Sequence, residues 1–414
     1  MIKKLKHIIT NSKSIVLIDQ AVFSGNSFVT TIVLSRLLDP SDFGVYASVI
    51  LIIYLIVSIL NAMIIQPLQV TLATIKRKQS YISFSYFMQI LLMLLAVAIM
   101  IGVFKLNLSI FSLYNPMCFG ICVITVGFIF HDYLRKLFLA KKEIKNAFVI
   151  DALTTLCHFG VLLLIYLLES ISLNQILYFL GLGYIPAILF SMWCIRPDFS
   201  EVNLWKSYTL KHYHQSKWLL MTAIVQWWSS NLFVVASGIF LGIKALGAFR
   251  LVQSLFGVIN ILLQTFENYV LPQTSVLLVK SQEQAKAYLK QISLKTAIPF
   301  SIILALIFVF SEQIIVLAGG AKYSEYAYVV KGMSVLYCFI FLGYPIRMAI
   351  RALILNKNFF MGYVLSLGFS LISFNYLLEK WGLIGAIVGL VISQLIVLSY
   401  WQYILIKNKF LLWK

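Results

Sequence analysis

Ser35-Arg36-Leu37-Leu38-Asp39-Pro40-Ser41-Asp42-Phe43-Gly44-Val45-Tyr46 separates two apolar runs. One run ends just before it and another starts just after. Proline cannot continue a helix interior, and glycine accepts backbone angles that other residues resist. Pro40 and Gly44 therefore predict a turn between two helices. A weaker copy stands near mid-length. Leu241-Gly242-Ile243-Lys244-Ala245-Leu246-Gly247-Ala248-Phe249 lays Leu241 on Leu38, Gly247 on Gly44 and Phe249 on Tyr46. A hairpin that recurs half-way along predicts a chain built twice.

Composition sets the class. Hydrophobic residues make up 61% and charged residues 11% of the 414. Soluble domains carry about 25% charged residues, so this is an integral membrane protein. Asp19 and Gln20 interrupt any signal-peptide core after the basic start at Lys3, Lys4 and Lys6, so the first apolar run reads as an uncleaved span. An all-α chain is expected, because a spanning β-barrel alternates apolar and polar residues and these runs are continuous. The expected spans are 15–38, 43–66, 84–104, 115–137, 147–168, 174–195, 217–241, 247–271, 292–310, 329–349, 359–378 and 383–406, about 12 in all.

Lysine and arginine orient them. With both termini in the cytoplasm, 26 of the 33 basic residues fall on inner segments and 5 on outer loops, with Arg36 and Arg250 beside spans. Shifting the count by one helix scrambles this asymmetry. The net charge of +19 is thus mostly topology, not a nucleic-acid footprint.

The repeat extends past the hairpin. Pro67 matches Pro272, Lys76-Arg77-Lys78 precedes a span as Lys280 does, and Leu137-Phe138-Leu139-Ala140-Lys141 echoes Leu353-Ile354-Leu355-Asn356-Lys357. Six helices per half make the repeat parallel, and two six-helix bundles facing each other leave a central cleft. The expected division is 1–196 for the first bundle, 197–216 for a cytoplasmic connection and 217–414 for the second. The connection, with Trp205, Tyr208, His212, Tyr213 and His214, suits a short interfacial helix or a plain loop.

The hairpin from Thr31 to Tyr46 resembles the first-hairpin pattern of the polysaccharide biosynthesis flippases, the Wzx group of the MOP superfamily. So do Lys217-Trp218-Leu219-Leu220, Trp227-Trp228-Ser229-Ser230-Asn231 and Leu246-Gly247-Ala248-Phe249-Arg250. The resemblance implies a MATE-like fold of two six-helix bundles in the bacterial inner membrane. It also implies transport of an oligosaccharide repeat unit on an undecaprenyl-diphosphate carrier from the inner to the outer leaflet. A polymerase or glycosyltransferase of the same pathway would be a partner, besides membrane lipids. The same fold also serves drug and cation antiporters of the MATE type.

A charge inside a span must face a cavity or a partner. Asp19 and Asn26 share a face of the first span. Asp19 suits either a carboxylate snorkelling near Lys13 or a proton-binding group in the cleft. On the eighth span Arg250, Ser254, Gly257, Ile261, Gln264 and Asn268 hold one helix face, with Glu267 beside its end. This stripe lines the cleft or a helix contact. Gln226 and Asn231 flank Trp227 and Trp228, which stack on sugars or fill the bundle.

Arg36 and Arg250, one in each half, suit a diphosphate because a guanidinium presents planar paired donors; each could also snorkel to the interface. The expected cargo contacts are these two with Asn26, Gln226, Asn231, Gln264 and Asn268. Asp19 or Glu267 would couple an ion. Asp132 with Arg135, and Arg347 with Arg351, suit an inner gate, attraction of the anionic headgroup, or the ordinary positive-inside count. No catalytic residues, cofactor or metal site are expected. The five cysteines have no partners in ligand spacing, His131 and His158 stand isolated in the sequence, and there is no phosphate-binding loop.

Overall fold

The computed structural model describes residues 12–72, 74–106, 109–168, 171–198 and 201–412, with backbone alone for 12–17 and 109–110. The basic residues Lys3, Lys4, Lys6 and Lys414, and the side chain of Lys13, lie outside what is described. The long helices are α1 (Ser12–Leu37), α2 (Pro40–Thr71), α3 (Lys78–Lys105), α4 (Cys118–Ala140), α5 (Ile144–Leu167) and α6 (Leu173–Ile195, interrupted at Gly183 and Tyr184). They continue as α7 (Trp205–Phe240), α8 (Ile243–Lys280), α9 (Gln282–Val309), α10 (Ala327–Ala352), α11 (356–381) and α12 (383–407). A short helix, Ser311–Gly319, precedes α10.

Ten helices among the described residues are long and apolar enough to cross a membrane, and α11 with α12 counts as one of these. Those two are separated by Gly382, whose φ of 56° no β-branched or bulky residue adopts without strain. Helix α1 has the length of a span, 26 residues, but stands outside the ten. The protein is an all-α, multi-spanning membrane protein.

The chain forms two compact units. The first is the chain up to Leu37 together with Val45–Ile224; the second is Leu38–Gly44 with Val225–Lys414. Residues 205–216 are not a loop. They form the opening turns of α7 and belong to the first unit, where an aromatic cluster holds them. Tyr81 on α3 meets the His212 Nε2 at 2.5 Å, Tyr208 packs edge-on to Tyr81, and Trp205 packs edge-on to Phe84. His212 Nδ1 donates to the Met63 carbonyl at 3.3 Å, which leaves Nε2 as the acceptor for the Tyr81 hydroxyl. Met63 lies in a π-helical turn, Asn61–Ile65, that interrupts α2 just before Pro67.

In the first unit α4 is the hub, packed on α3, α5 and α6, while α1 lies along α5. Small residues allow the close approach that drives helix association in lipid: a Cβ on Gly127 would lie 2.6 Å from the Tyr184 ring of α6. In the second unit α10 is the hub, packed on α8, α9 and the α11–α12 pair. The opening turn is shorter than the sequence suggests. Helix α2 starts at Pro40, where proline needs no amide partner, and Gly44 already lies within it.

Candidate functional site

In the first unit α4 brings Arg135 into the interior. Its Nε donates to Asp151 Oδ2 on α5 at 2.6 Å and its Nη2 to Asp19 Oδ2 on α1 at 2.6 Å. A weaker bond reaches Gln20 at 3.3 Å, and the guanidinium lies 4.2 Å from the Phe23 ring centre, a cation–π contact. Asp19 and Asp151 are each 1% exposed. The planar fork of arginine lets one cation hold two carboxylates from two helices.

His131, one turn before Arg135, is not isolated. Its Nε2 is 3.3 Å from Asp151 Oδ1. His158 is not isolated either: it accepts from Asn26 Nδ2 at 3.1 Å and donates to the Leu180 carbonyl at 3.0 Å, joining α1, α5 and α6. The amide nitrogen of Asn26, expected to face cargo, is thus engaged within the unit.

The expected pairing of Asp132 with Arg135 does not form. Asp132 instead takes Lys136, one turn along, at 2.7 Å. The reason is the helix face: Arg135 points between α1 and α5, where two buried carboxylates need a cation. Asp19 does not snorkel, because it is buried in that pair. Asp151 has no place in the sequence reading. Its signal there is a lone carboxylate inside an apolar run.

The second unit holds a different cluster. Glu267 on α8 is ion-paired with Arg351 of α10, and Arg347 Nε lies 3.7 Å from its other oxygen. The Tyr344 hydroxyl donates to Glu267 Oε2 at 3.3 Å. Arg347 and Arg351 thus gather on Glu267. The register that lays Leu137 on Leu353 also lays Arg135 on Arg351, so each hub helix carries an arginine at the matching place.

The α8 stripe faces away from that helix's buried side. Arg250, Ser254, Gly257 and Ile261 are half-buried and Gln264 and Asn268 exposed, whereas Phe256, Ile259, Leu263 and Glu267 are buried. A Cβ on Gly257 would meet nothing. At Gly257, therefore, no neighbouring helix packs close against the stripe. Arg250 donates to Gln253 on its own helix at 2.8 Å. Arg36 is exposed in the last turn of α1. On α7, Asn231 donates to the Trp227 carbonyl at 2.8 Å, Trp227 and Trp228 pack edge to face, and Gln226 is half-buried. Ser229 instead bonds Ser366 of α11 at 2.9 Å.

Among the described residues no three His, Cys, Asp or Glu side chains are grouped to hold a metal ion. What this arrangement offers is charge and hydrogen bonding inside apolar helices.

A family model described as "Polysaccharide biosynthesis protein" matches residues 33–328, most of the chain. The chain belongs to the polysaccharide biosynthesis protein family. Solved structures extend the match to the fold. A lipid II flippase, MurJ, in an inward closed conformation superposes with a TM-score of 0.72 at 11% identity, over 94% of this chain and 86% of that one. An inward-facing multidrug resistance MATE transporter of the MOP superfamily superposes at 0.70 with 13% identity, over 94% and 95%. A MOP superfamily transporter from Pyrococcus furiosus superposes at 0.62 with 14% identity, over 97% of each chain. No curated protein matches the sequence. This member of the family thus has the MOP fold, one shared by transporters rather than by catalytic enzymes.

Proposed function

We propose that this chain flips an undecaprenyl-diphosphate-linked oligosaccharide repeat unit from the inner to the outer leaflet of the bacterial inner membrane. Two six-helix bundles, α1–α6 and α7–α12, would work by alternating access, with both termini cytoplasmic and an ion resetting the cycle. The family match supports a glycan pathway, and the likeness to a lipid II flippase supports a fold suited to lipid-linked cargo.

One observation carries the choice of an anionic cargo. The carboxylates inside the spans, Asp19, Asp132, Asp151 and Glu267, are at most 8% exposed, and each is ion-paired. The arginines Arg36, Arg250, Arg347 and Arg351 are exposed or half-buried. Away from helix ends, the accessible charge on these helices is cationic, since exposed acids such as Asp42, Glu283 and Glu379 sit in first or last turns. A cationic drug would need open carboxylates. Arg36 and Arg250 are the proposed diphosphate contacts, and Gln226, Asn231, Gln264 and Asn268 the proposed sugar contacts. Asn26, bonded to His158, supports the first unit instead.

For the coupling ion, the Asp19–Arg135–Asp151 cluster is the better seat. Two carboxylates share one arginine, so the cluster has one negative charge to spare. Glu267 faces two arginines and has none.

A deletion strain tests the reading. Surface glycan should vanish while the lipid-linked repeat unit accumulates on the cytoplasmic leaflet. Intact surface glycan with heightened sensitivity to cationic dyes would replace it by the multidrug antiporter reading.

A further inference from the structure

Two guanidiniums in the second unit share one carboxylate. Arg347 and Arg351 stand one turn apart on α10, so their heads reach the same side of the helix. Glu267 serves them unequally. It forms a close ion pair with Arg351, but Arg347 Nε, at 3.7 Å, is beyond hydrogen-bond reach. That Nε is buried and has no acceptor. Two cations against one anion leave a surplus positive charge, and one donor is idle.

Exposure is lopsided as well. The Glu267 side chain is 11% exposed, while Arg347 is 36% and Arg351 37% exposed. The carboxylate lies beneath and the guanidiniums open outward. The Tyr344 hydroxyl holds the carboxylate, and the Tyr363 phenol of α11 lies within electrostatic reach of both arginines. The Arg347 guanidinium also lies 5.8 Å from the Tyr344 ring centre, a long cation–π contact.

We propose that Arg347 and Arg351 form a binding site for a diphosphate-bearing lipid headgroup, and that Glu267 is its built-in stand-in anion. The proposal rests on the flippase reading and adds to it a second headgroup station, on α10. A carboxylate has two oxygens on one carbon and satisfies one guanidinium fork. A diphosphate has non-bridging oxygens on two phosphorus atoms and can satisfy the accessible donors of both guanidiniums. Before cargo arrives, Glu267 keeps two like charges together on one helix turn. When cargo binds, it is displaced from Arg351 and keeps its Tyr344 hydrogen bond. The displaced carboxylate then competes for the arginines, so the headgroup is held loosely enough to leave. Binding strong enough to load and weak enough to release is what transport needs.

The test is direct binding to the full-length protein in nanodiscs of zwitterionic lipid, with farnesyl diphosphate and inorganic pyrophosphate as probes. The wild type should bind farnesyl diphosphate. Arg347→Gln and Arg351→Gln should each weaken it by about tenfold or more. Glu267→Gln, which keeps an acceptor for Tyr344 but removes the competing charge, should tighten it severalfold. That gain cannot come from a misfolded variant. Equal binding of pyrophosphate would place all recognition in the diphosphate, and weaker binding would add a contribution from the chain; both support the site. If the wild type binds and all three variants bind alike, the α10 site is wrong while the flippase reading stands. If Glu267→Gln weakens binding as the arginine changes do, the stand-in role is wrong. If the wild type binds no isoprenoid diphosphate, both fall. Nanodiscs doped with phosphatidylglycerol that block farnesyl diphosphate completely would reassign the arginines to an ordinary phospholipid headgroup.

Discussion

Gly44 and Gly247, which occupy equivalent places in the two hairpin sequences, touch: a Cβ added to Gly247 would lie 2.8 Å from the Cα of Gly44. One on Gly44 would collide with the Ile243 carbonyl. The matching openings of α2 and α8 therefore meet backbone to backbone, within the second unit. Phe43 packs edge-on to Tyr323 beside them, and Lys322 donates to the Leu38 carbonyl. Substituting Gly247 with valine should cost about 1–3 kcal/mol through overpacking. Thermal melts of the detergent-solubilised protein check it. Gly257→Ala, where the added carbon meets nothing, is the control and should melt like wild type.

Arg135→Ala should destabilise the first unit more than a change at the exposed Arg36 would. It strands two buried carboxylates, and breaking a buried pair costs about 3–5 kcal/mol. The triple change Arg135→Ala, Asp19→Asn, Asp151→Asn should recover much of the loss, because neutral amides are less costly to bury than unpaired charges. A triple variant no more stable than Arg135→Ala would show that packing, not charge, makes Arg135 essential.

How far the sequence reveals these features depends on whether a feature is local. The spans are legible because an apolar run of sufficient length is a property of one segment. The turn before α2 is legible from Pro40, which fixes its own φ. Charge pairing is not local. Within one helix Asp132 and Arg135 look like a pair, yet Arg135 bonds Asp19, 116 residues away, because helix packing decides which faces meet. Asp151 announces itself only as a lone charge among apolar neighbours. The same holds for 205–216, whose polar composition suggests a connection. Its helix forms because Trp205, Tyr208 and His212 lie on one face, at helical spacing, against α3.

That aromatic face makes its own prediction. Tyr81→Phe removes the hydroxyl that His212 Nε2 accepts, while the ring contacts with Phe84 and Tyr208 remain. The loss of one neutral hydrogen bond is worth about 1 kcal/mol. Amide hydrogen exchange should therefore quicken in 205–216 and leave the rest of α7 as it was. Exchange that quickens throughout 205–240 would mean that the whole helix depends on this one bond.

Export should separate the arginines from the carboxylates. Arg36→Ala and Arg250→Ala should abolish glycan export while leaving the protein inserted and folded. Normal export in both would remove the diphosphate role proposed for them. Lysine at either position should rescue partially, since it restores charge without the planar fork.

Asp151→Asn tests the coupling seat. The substitution removes the surplus negative charge of the Asp19–Arg135–Asp151 cluster but leaves one full carboxylate for Arg135, so the protein should fold. Transport driven by an imposed ion gradient should fall to the rate seen without a gradient, while farnesyl diphosphate binding at α10 is unchanged. Glu267→Gln should do the reverse, altering headgroup affinity and keeping the response to the gradient. If Glu267→Gln instead abolishes the gradient response and Asp151→Asn leaves it intact, the coupling ion sits in the second unit, and the charge count that assigns it to the first is the wrong guide.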